Sequence, residues 1–214
     1  MIGDKLIIND YHRQAAAQAM ETVRGKLGQG RIAISVSGES GSGKSETAFC
    51  LGELLEKEGL KVVVLAQDDY FRLPPKTNSA YRKTDLDWVG SGEVNLDLMS
   101  RNARQIRAGA ESIVKPLVNF DEDKIGGETL EGGPYDAVIA EGTYTSMLEG
   151  LDIRVFINRT YLQTKKDRLK RAREEATGSF IEQVLEKEHQ IISKERARAD
   201  VVVPPPPEEA EETE

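Results

Sequence analysis

The sequence predicts an α/β fold in which a doubly wound parallel sheet of about five strands carries helices on both faces. Short apolar runs rich in β-branched residues alternate along the chain with longer segments whose apolar residues recur every three or four positions. That alternation is typical of a parallel sheet with helical crossovers. Because ligands bind such sheets at the carboxyl ends of the strands, the loops that follow the strands are the places to search for a functional site.

Five segments are predicted as strands of this sheet, at residues 31–37, 61–66, 137–140, 153–157 and 201–203. The unbroken apolar run of the second strand predicts that it is buried on both faces. A small β insertion is predicted near residues 112–131, with short strands at 112–114, 118–120 and 128–130.

Helical periodicity predicts five helices, at residues 11–27, 44–57, 94–108, 161–175 and 180–193. Asn9 or Asp10 can cap the first helix, and Gly28 and Gly30 end it. Residues 67–93 are polar and irregular. A loop of that length inside a compact domain is usually functional or disordered.

A single domain is expected over residues 1–203, because 214 residues suffice for one sizeable core and are few for two. Residues 204–214 hold four prolines and five glutamates, which predicts a disordered acidic tail. The net charge is −8, so the five glutamates of the tail leave about −3 for the rest of the chain. Nucleic-acid binding usually needs a basic patch, and we expect none here.

The cellular compartment is predicted from three features that the sequence lacks: a pair of cysteines, a membrane-spanning segment and a signal peptide. Cys50 is the single cysteine, so an intrachain disulfide is excluded and a reducing compartment fits. No apolar run approaches the roughly 20 residues that span a bilayer, and the first residues do not resemble a signal peptide. We therefore expect a cytoplasmic protein without a membrane partner, and the sequence leaves open whether it forms a homo-oligomer.

The most specific motif is G-x-x-x-x-G-K-[ST], which residues 38–45 match in full. Its glycines let successive backbone N–H groups turn inward, where they and the start of the next helix can hold phosphates. Lys44 would reach the β- and γ-phosphates, and the Ser45 hydroxyl a magnesium ion. A chance glycine-rich turn is disfavoured by the flanking strand and helix. The expected nucleotide-binding residues are Gly38, Glu39, Ser40, Gly41, Ser42, Gly43, Lys44, Ser45 and Thr47.

This motif refines the predicted fold to that of a P-loop NTPase. Two carboxylates follow other strands of the predicted sheet. Asp68 directly follows the second strand, where it could accept a proton from an acceptor hydroxyl, although Asp68 or Asp69 could equally cap a turn. Glu141 ends the strand at 137–140, where a carboxylate commonly holds magnesium. A helix-capping role before Thr143 is the alternative.

A second sequence pattern could indicate nucleotide binding. Residues 164–167, Thr-Lys-Lys-Asp, fit the [NT]-K-x-D pattern by which GTPases bind guanine. That motif should follow a strand, whereas here it falls inside an amphipathic helix with Leu162 and Leu169 on its apolar side. We interpret it as a solvated helix face.

The same helix is strongly basic and is the candidate for a lid over the phosphates, at about residues 160–180. A lid would supply arginines to the migrating charge and exclude water, and Arg168, Arg171 and Arg173 are the candidates. The alternative is a solvated face paired with nearby glutamates. His12 and His189 lie far in sequence from every strand-end motif, so we expect neither to be catalytic.

Four segments together resemble the uridine kinase and phosphoribulokinase family. They are residues 38–45, the Gln-Asp-Asp-Tyr-Phe of 67–71, the Ile-Ala-Glu-Gly of 139–142 and the Ala-Asp-Val-Val-Val of 199–203. Their order and spacing agree over residues 30–203. The resemblance implies the nucleoside and nucleotide kinase-like type of the P-loop NTPase fold. It also implies an ATP- and magnesium-dependent kinase that phosphorylates a hydroxyl group of a small molecule.

The resemblance also implies roles for individual residues. Asp68 matches the catalytic base, and Ser45, Glu141 and Asp68 surround the magnesium site. On the substrate side, Asp87 resembles the aspartate that uridine kinases direct at ribose hydroxyls. Phe120 falls where those enzymes place a base-stacking aromatic, and Tyr70 with Phe71 forms an aromatic pair that lines the same pocket.

The departures from the family pattern fall mostly on the substrate side. The usual Asp-His-Pro is Asp-Trp-Val at residues 87–89, the usual Tyr-Asp-Phe is Val-Asn-Phe at 118–120, and the lid is shorter. A pyrimidine nucleoside with a free 5′-hydroxyl is the preferred acceptor. Alternatives are nicotinamide riboside, pantothenate, a phosphosugar or a similar alcohol. A different class of function, a nucleotide-dependent regulatory ATPase that binds a protein partner, also fits the P-loop and the acidic tail.

Overall fold

A computed structural model describes residues 6–170 and 178–207 of the chain. Its seven strands are β1 (Ile32–Gly38), β2 (Val62–Ala66), β3 (Ile113–Asn119), β4 (Lys124–Leu130), β5 (Ala137–Glu141), β6 (Ile153–Ile157) and β7 (Val201–Val203). Five of them form one parallel sheet in the order β2-β5-β1-β6-β7, and β3 and β4 form a separate antiparallel hairpin. The predicted five-stranded parallel sheet is confirmed.

In the described parts of the chain six α-helices accompany the sheet, namely α1 (Asp10–Arg24), α2 (Lys44–Lys57), α3 (Pro75–Thr84), α4 (Leu96–Arg107), α5 (Lys165–Lys170) and α6 (Ser179–Ile192). Asn9 caps α1 by accepting the backbone N–H of His12, as its residue type predicts. The helix ends at Arg24, a turn earlier than predicted. No helix within the described residues has the length and apolar character needed to cross a membrane.

The central strands are buried on both faces because side chains alternate across a strand and helices cover each side. In β1, Ile32, Ile34 and Val36 pack with α1 and α2, whereas Ala33 points to the opposite layer. That second layer includes Met99 and other residues of α4. The two apolar clusters pack on opposite faces of the sheet and fix the positions of the strand ends at its carboxyl edge.

The second strand departs from its prediction. Its apolar run predicts burial on both faces, yet β2 lies at the edge of the sheet and only Leu65 is buried, with Val64 40% exposed. The error has a simple cause, since an apolar run carries no information about which strand lies at the edge. The order of the strands is decided by long-range packing.

Residues 67–93 are also more regular than predicted. They contain α3 and three short 3-10 turns, at Gln67–Tyr70, Leu86–Trp88 and Ser91–Glu93. Pro74 cannot cap α3 with a side chain, and Asp123 of the hairpin supplies the cap instead, accepting the N–H groups of Lys76 and Thr77. The hairpin turn and α3 are therefore held together, which forms one wall of the site described below.

The lid and the tail are described only in part. The predicted helix at 161–175 appears as α5, which begins at Lys165. Arg171 and Arg173 lie outside the described residues, as do residues 208–214 of the predicted tail. At the described start of the tail, Pro204 accepts a hydrogen bond from the Tyr11 hydroxyl.

Candidate functional site

Three strand ends meet at one edge of the sheet. In the register of the sheet, Glu141 at the end of β5 lies opposite Val36 of β1 and Ala66 of β2. Gly38, where the P-loop begins, lies two residues after Val36. Asp68 lies two residues after Ala66. The predicted convergence of the P-loop and the two carboxylates follows from parallel pairing.

The backbone conformation of the P-loop, residues 38–45, depends on its glycines. Gly41 and Gly43 have φ angles of 79° and 94°, a region that side chains rarely allow. A Cβ at Gly43 would lie 2.6 Å from Nε2 of His12, so this loop has no room for a larger residue. Gly43 is the N-cap of α2, and no side chain among the described residues caps this end of the helix. The first N–H groups of a helix bind anions well, so this cradle suits the phosphates of a nucleotide.

Ser45 and Glu141 provide a pair of hard oxygen donors beside the loop. The Ser45 hydroxyl donates to Oε2 of Glu141 across 2.9 Å, and Glu141 is only 8% exposed. Among the described residues no cluster of three or more His, Cys, Asp or Glu side chains could hold a metal ion by itself. A hydroxyl and one carboxylate, completed by phosphate oxygens and water, is nonetheless the donor set that Mg²⁺ uses with nucleotides.

The segment before the candidate lid packs directly on the P-loop. Thr164 is fully buried and its hydroxyl donates to the carbonyl of Ser40 across 3.0 Å. Arg168 lies over Gly41, where a Cβ would meet its Cγ at 2.6 Å, and its guanidinium donates to the carbonyl of Tyr161. The interpretation of residues 164–167 as a solvated helix face is therefore wrong for Thr164, which anchors the segment to the loop.

Both histidines also contact the P-loop, which their positions in sequence did not suggest. His189 of α6 lies 2.7 Å from Oε1 of Glu39, whose other carboxylate oxygen accepts the backbone N–H of Tyr161. His12 is buried against Gly43 and accepts the Asn9 N–H at Nδ1. Arg159, which follows β6, donates to the carbonyl of Ser42 across 3.5 Å. These residues support the loop from three elements.

The two aspartates after β2 have different environments. Asp69 is 2% exposed and accepts Lys115 Nζ at 2.8 Å and the Val118 N–H at 3.0 Å, so it ties the hairpin to the sheet. Burial raises the pKa of Asp69, but the bonds from Lys115 and Val118 outweigh it and leave that pKa below its usual value. Asp68 is exposed and faces a cleft. Of the two, Asp68 is thus the one available to a ligand.

This cleft, called the Asp68 cleft from here on, has a volume of about 190 Å³. It lies between α3, the end of β3 and the first turns of α6. Its lining residues are Asp68, Phe71, Pro75, Asn78, Ser79, Arg82, Phe120, Phe180, Ile181 and Val184. The structure thus brings together three of the residues named from sequence, namely Asp68, Phe71 and Phe120.

Two other residues named from sequence are not in the cleft. Tyr70 is 1% exposed, packs in the apolar layer around α4 and donates its hydroxyl to Asn102, and burial raises its pKa. The Asp87 side chain is 96% exposed and pairs with Lys187, which lowers its pKa. In this structure Tyr70 is a core residue and Asp87 a surface residue.

A buried polar cluster contacts Arg82 and Asn78, two of the residues that line the cleft, and the sequence reasoning missed it. Glu93 is fully buried and accepts both Arg82, at 2.6 and 3.0 Å, and Asn78, at 2.6 Å. Glu188 of α6 lies 3.5 Å from the same guanidinium. Burial raises the pKa of Glu188. A signal was present in α6, where Glu188 interrupts the apolar face that contains Val184 and Ile192.

The comparisons with known proteins agree with this geometry. Residues 33–210 match the phosphoribulokinase/uridine kinase family. The chain is 25% identical to a uridine kinase of Leuconostoc citreum, with 85% of this chain and 91% of that protein covered. It is 27% identical to a bifunctional alpha-galactosidase/sucrose kinase of Mediterraneibacter gnavus over 82% of the chain, which spans only 20% of that longer protein.

A solved structure extends the comparison to three dimensions. A possible uridine kinase from Bacillus stearothermophilus superposes with a TM-score of 0.63 at 19% identity, covering 89% of this chain and 97% of the other. At that identity the likeness shows the fold alone. The family match covers well over half of the chain and includes the P-loop, the strand-end carboxylates and α6. This chain therefore belongs to the phosphoribulokinase and uridine kinase family and is a phosphotransferase with an alcohol acceptor.

Proposed function

We propose that this chain transfers the γ-phosphate of ATP, in the presence of Mg²⁺, to a hydroxyl group of a small polyhydroxylated molecule. The observation that carries the proposal is the position of Asp68, an exposed carboxylate facing a cleft, two residues beyond the strand that pairs with Glu141. At about 190 Å³ the cleft is smaller than the roughly 300–1,000 Å³ of drug-sized sites, which suits a small acceptor.

Each residue has a stated part in the proposed reaction. Asp68 orients the acceptor hydroxyl and accepts its proton as the new P–O bond forms. The backbone N–H groups of the P-loop and the Lys44 ammonium hold the β- and γ-phosphates, and Arg168 stabilises charge on the transferring group from the lid side. Arg171 and Arg173 are proposed for the same part on sequence grounds alone.

Ser45 and Glu141 are proposed to hold the magnesium ion, with Asp68 nearby. When bound there, Mg²⁺ would supply positive charge that offsets the negative charge of the phosphates. The Ser45–Glu141 hydrogen bond supports this assignment, because it places two oxygen donors within 2.9 Å of each other beside the loop. Phe71 and Phe120 are proposed to contact the acceptor. Asp87 is proposed as an acceptor-binding residue on the family resemblance alone. It would contact an acceptor in the cleft only after a movement that brings the two together.

A pyrimidine nucleoside, phosphorylated at its 5′-hydroxyl, is the first acceptor to test, because Phe120 and Phe71 offer faces on which a base could stack. A free sugar is the second candidate. Two observations favour it, namely the exposure of Asp87 away from the cleft and the similarity of the chain to a sucrose kinase. Aromatic faces also pack against the apolar side of a sugar ring.

The test is an acceptor panel of nucleosides, hexoses, disaccharides, pantothenate and nicotinamide riboside, each incubated with ATP and Mg²⁺. We expect one acceptor of the panel to gain the mass of one phosphoryl group, detected by mass spectrometry, with release of an equal amount of ADP. ATP binding without phosphorylation of any acceptor would contradict the proposal and favour the regulatory ATPase.

A further inference from the structure

Glu39 is an acidic residue inside a loop that suits phosphates. The P-loop pattern leaves this position open to any residue type, so phosphate binding does not require a carboxylate here. A negative charge beside the phosphates would instead repel them and weaken nucleotide binding. The Glu39 side chain is 6% exposed, and both of its carboxylate oxygens bind residues outside the loop. These contacts indicate a role for the side chain other than phosphate binding.

The first contact of Glu39 reaches the acceptor side of the site. Its Oε1 lies 2.7 Å from Nδ1 of His189, in the last turn of α6. A carboxylate accepts hydrogen bonds, so Nδ1 of His189 carries the hydrogen of this bond. Earlier on the same helix, Phe180, Ile181 and Val184 line the Asp68 cleft. One helix therefore forms a wall of the cleft with its first turns and contacts the P-loop with its last turn.

The second contact of Glu39 joins the loop to the segment that precedes α5. Its Oε2 accepts the backbone N–H of Tyr161 across 2.6 Å. The Tyr161 hydroxyl donates to Glu186 of α6, and the centroids of the Tyr161 and His189 rings are 5.8 Å apart. The P-loop, this segment and α6 therefore contact one another in pairs, and the Glu39 carboxylate lies where the three meet.

Resting on the function proposed above, we propose that Glu39 and His189 are positioning residues that couple ATP binding to the order of α6 and so to acceptor binding. Phosphates that bind the P-loop fix its backbone at Glu39, and the bond to His189 then holds α6 in place. A ligand that orders a shared element lowers the entropic cost of binding a second ligand. By reciprocity, the acceptor strengthens ATP binding by the same factor.

The coupling should act on α6 more than on the other walls of the cleft. The hairpin is held to the sheet by Asp69, and α3 is held to the hairpin by Asp123, through contacts outside the P-loop. Binding of a nucleotide is therefore expected to order α6 and to leave α3 nearly unchanged. This contrast distinguishes the proposed link from a general tightening of the whole protein.

Hydrogen–deuterium exchange of the full chain tests the coupling without an acceptor. The probe is the non-hydrolysable β,γ-imido analogue of ATP, at saturation with Mg²⁺. We expect it to slow amide exchange about five- to tenfold in α6 and less than about twofold in α3. If the analogue binds and exchange in α6 does not slow, this inference is overturned and the kinase function stands. If the analogue does not bind, the proposed function is overturned, and this inference with it.

The variant His189→Ala removes the bond between α6 and the loop. The analogue should then slow exchange in α6 by less than about twofold, while its Kd, measured by calorimetry, changes by less than about threefold. His189→Asn is the conservative variant, because its amide N–H can donate from a position near that of Nδ1, and it should restore a slowing of at least about threefold. Gln183→Ala, an exposed residue of the same helix, is the matched control and should behave like the wild type.

A merely structural role for His189 predicts a different result. Exchange in α6 of His189→Ala would then be faster by the same factor with and without the analogue, and that unchanged ratio would overturn the proposal. Glu39→Gln covers the case in which His189→Ala folds poorly, because it leaves α6 intact and replaces one carboxylate oxygen by a nitrogen that cannot accept a hydrogen bond. It should reduce the slowing to about threefold or less. Slowing equal to that of the wild type in Glu39→Gln would show that this pair does not couple the two sites.

Discussion

The two halves of the site are built in different ways. The nucleotide half, which comprises the P-loop with Glu141, is formed by backbone groups at the end of a fully buried strand and by one short hydrogen bond between side chains. The acceptor half, which is the Asp68 cleft, is formed by side chains from α3, the hairpin and α6. Backbone geometry recognises triphosphates whatever the neighbouring side chains, whereas a side-chain cleft can change its ligand with a few substitutions.

This difference has a consequence for selectivity. Members of one family can keep the phosphate machinery and accept different alcohols, since two walls of the cleft are held by contacts outside the loop. The third wall, α6, also contacts the loop, through His189 and Glu39. Here the support comes from Asp69, which ties the hairpin to the sheet, and from Asp123, which caps α3. Substitutions in the two halves should therefore separate in their effects on ATP and on the acceptor.

The largest effect is expected at the junction of the halves. Asp68→Asn should lower kcat by roughly 10³-fold, because an amide cannot accept the proton of the hydroxyl. The Kd for ATP should stay within about twofold, measured by titration calorimetry. Asp97→Asn, an exposed aspartate on α4, is the matched control. Turnover equal to that of the wild type would exclude Asp68 as the base.

The next effect is on the stability of the acceptor half. Asp69→Asn should lower the free energy of unfolding by about 3 kcal/mol, because it leaves Lys115 buried with one carboxylate fewer. For a chain of this size that corresponds to a fall in melting temperature of about 6–12 °C. Acceptor KM should rise while ATP affinity is retained. A variant with unchanged melting temperature would contradict the buried-pair account.

The same residue predicts an acid dependence. The pKa of Asp69 is lower in the folded state than in the unfolded state, so its stabilisation is complete above the unfolded value near 3.9. It is lost as the pH falls from there through the folded pKa. Melting temperatures should therefore converge for the wild type and Asp69→Asn as the pH drops below about 4. A gap that stays constant down to pH 2 would show that charge is not the cause.

A smaller effect is expected in the nucleotide half. Glu141→Gln should lower kcat/KM for ATP by about 10- to 100-fold, because the amide replaces a charged oxygen donor beside Ser45. The Mg²⁺ concentration for half-maximal activity should rise, and acceptor KM should change little. If the Mg²⁺ requirement is the same in both proteins, Glu141 does not support the metal ion.

The smallest effect is expected from Phe120→Ala, which should raise acceptor KM about fivefold through loss of the aromatic face. The side chain is 37% exposed, so the free energy of unfolding should fall by less than about 1 kcal/mol. ATP affinity should not change. A rise in KM for ATP instead would mean that the two halves are not independent.

The sequence by itself determined the parts of this protein that are local. The helix from Lys44 to Lys57 and the strands from Ile153 to Ile157 and Val201 to Val203 were predicted with their observed bounds, and the strand before the P-loop was predicted one residue early, at 31–37. Hydrophobic period and glycine spacing act over a few residues, which is why these elements were predictable. The positions of Asp68 and Glu141 at strand ends were likewise readable, because parallel strands bring their carboxyl ends to one edge.

Only the tertiary structure decided which strand lies at the edge, which aspartate is buried and which residues line the cleft. The edge position of β2, the burial of Tyr70 and the outward position of Asp87 all depend on packing between segments far apart in the chain. Arg82 and Glu188 are 106 residues apart in sequence, and the residues around each of them do not predict that the two side chains meet. Contacts between distant segments form the acceptor half. For this physical reason the sequence predicted the phosphate-binding residues more completely than the residues that bind the acceptor.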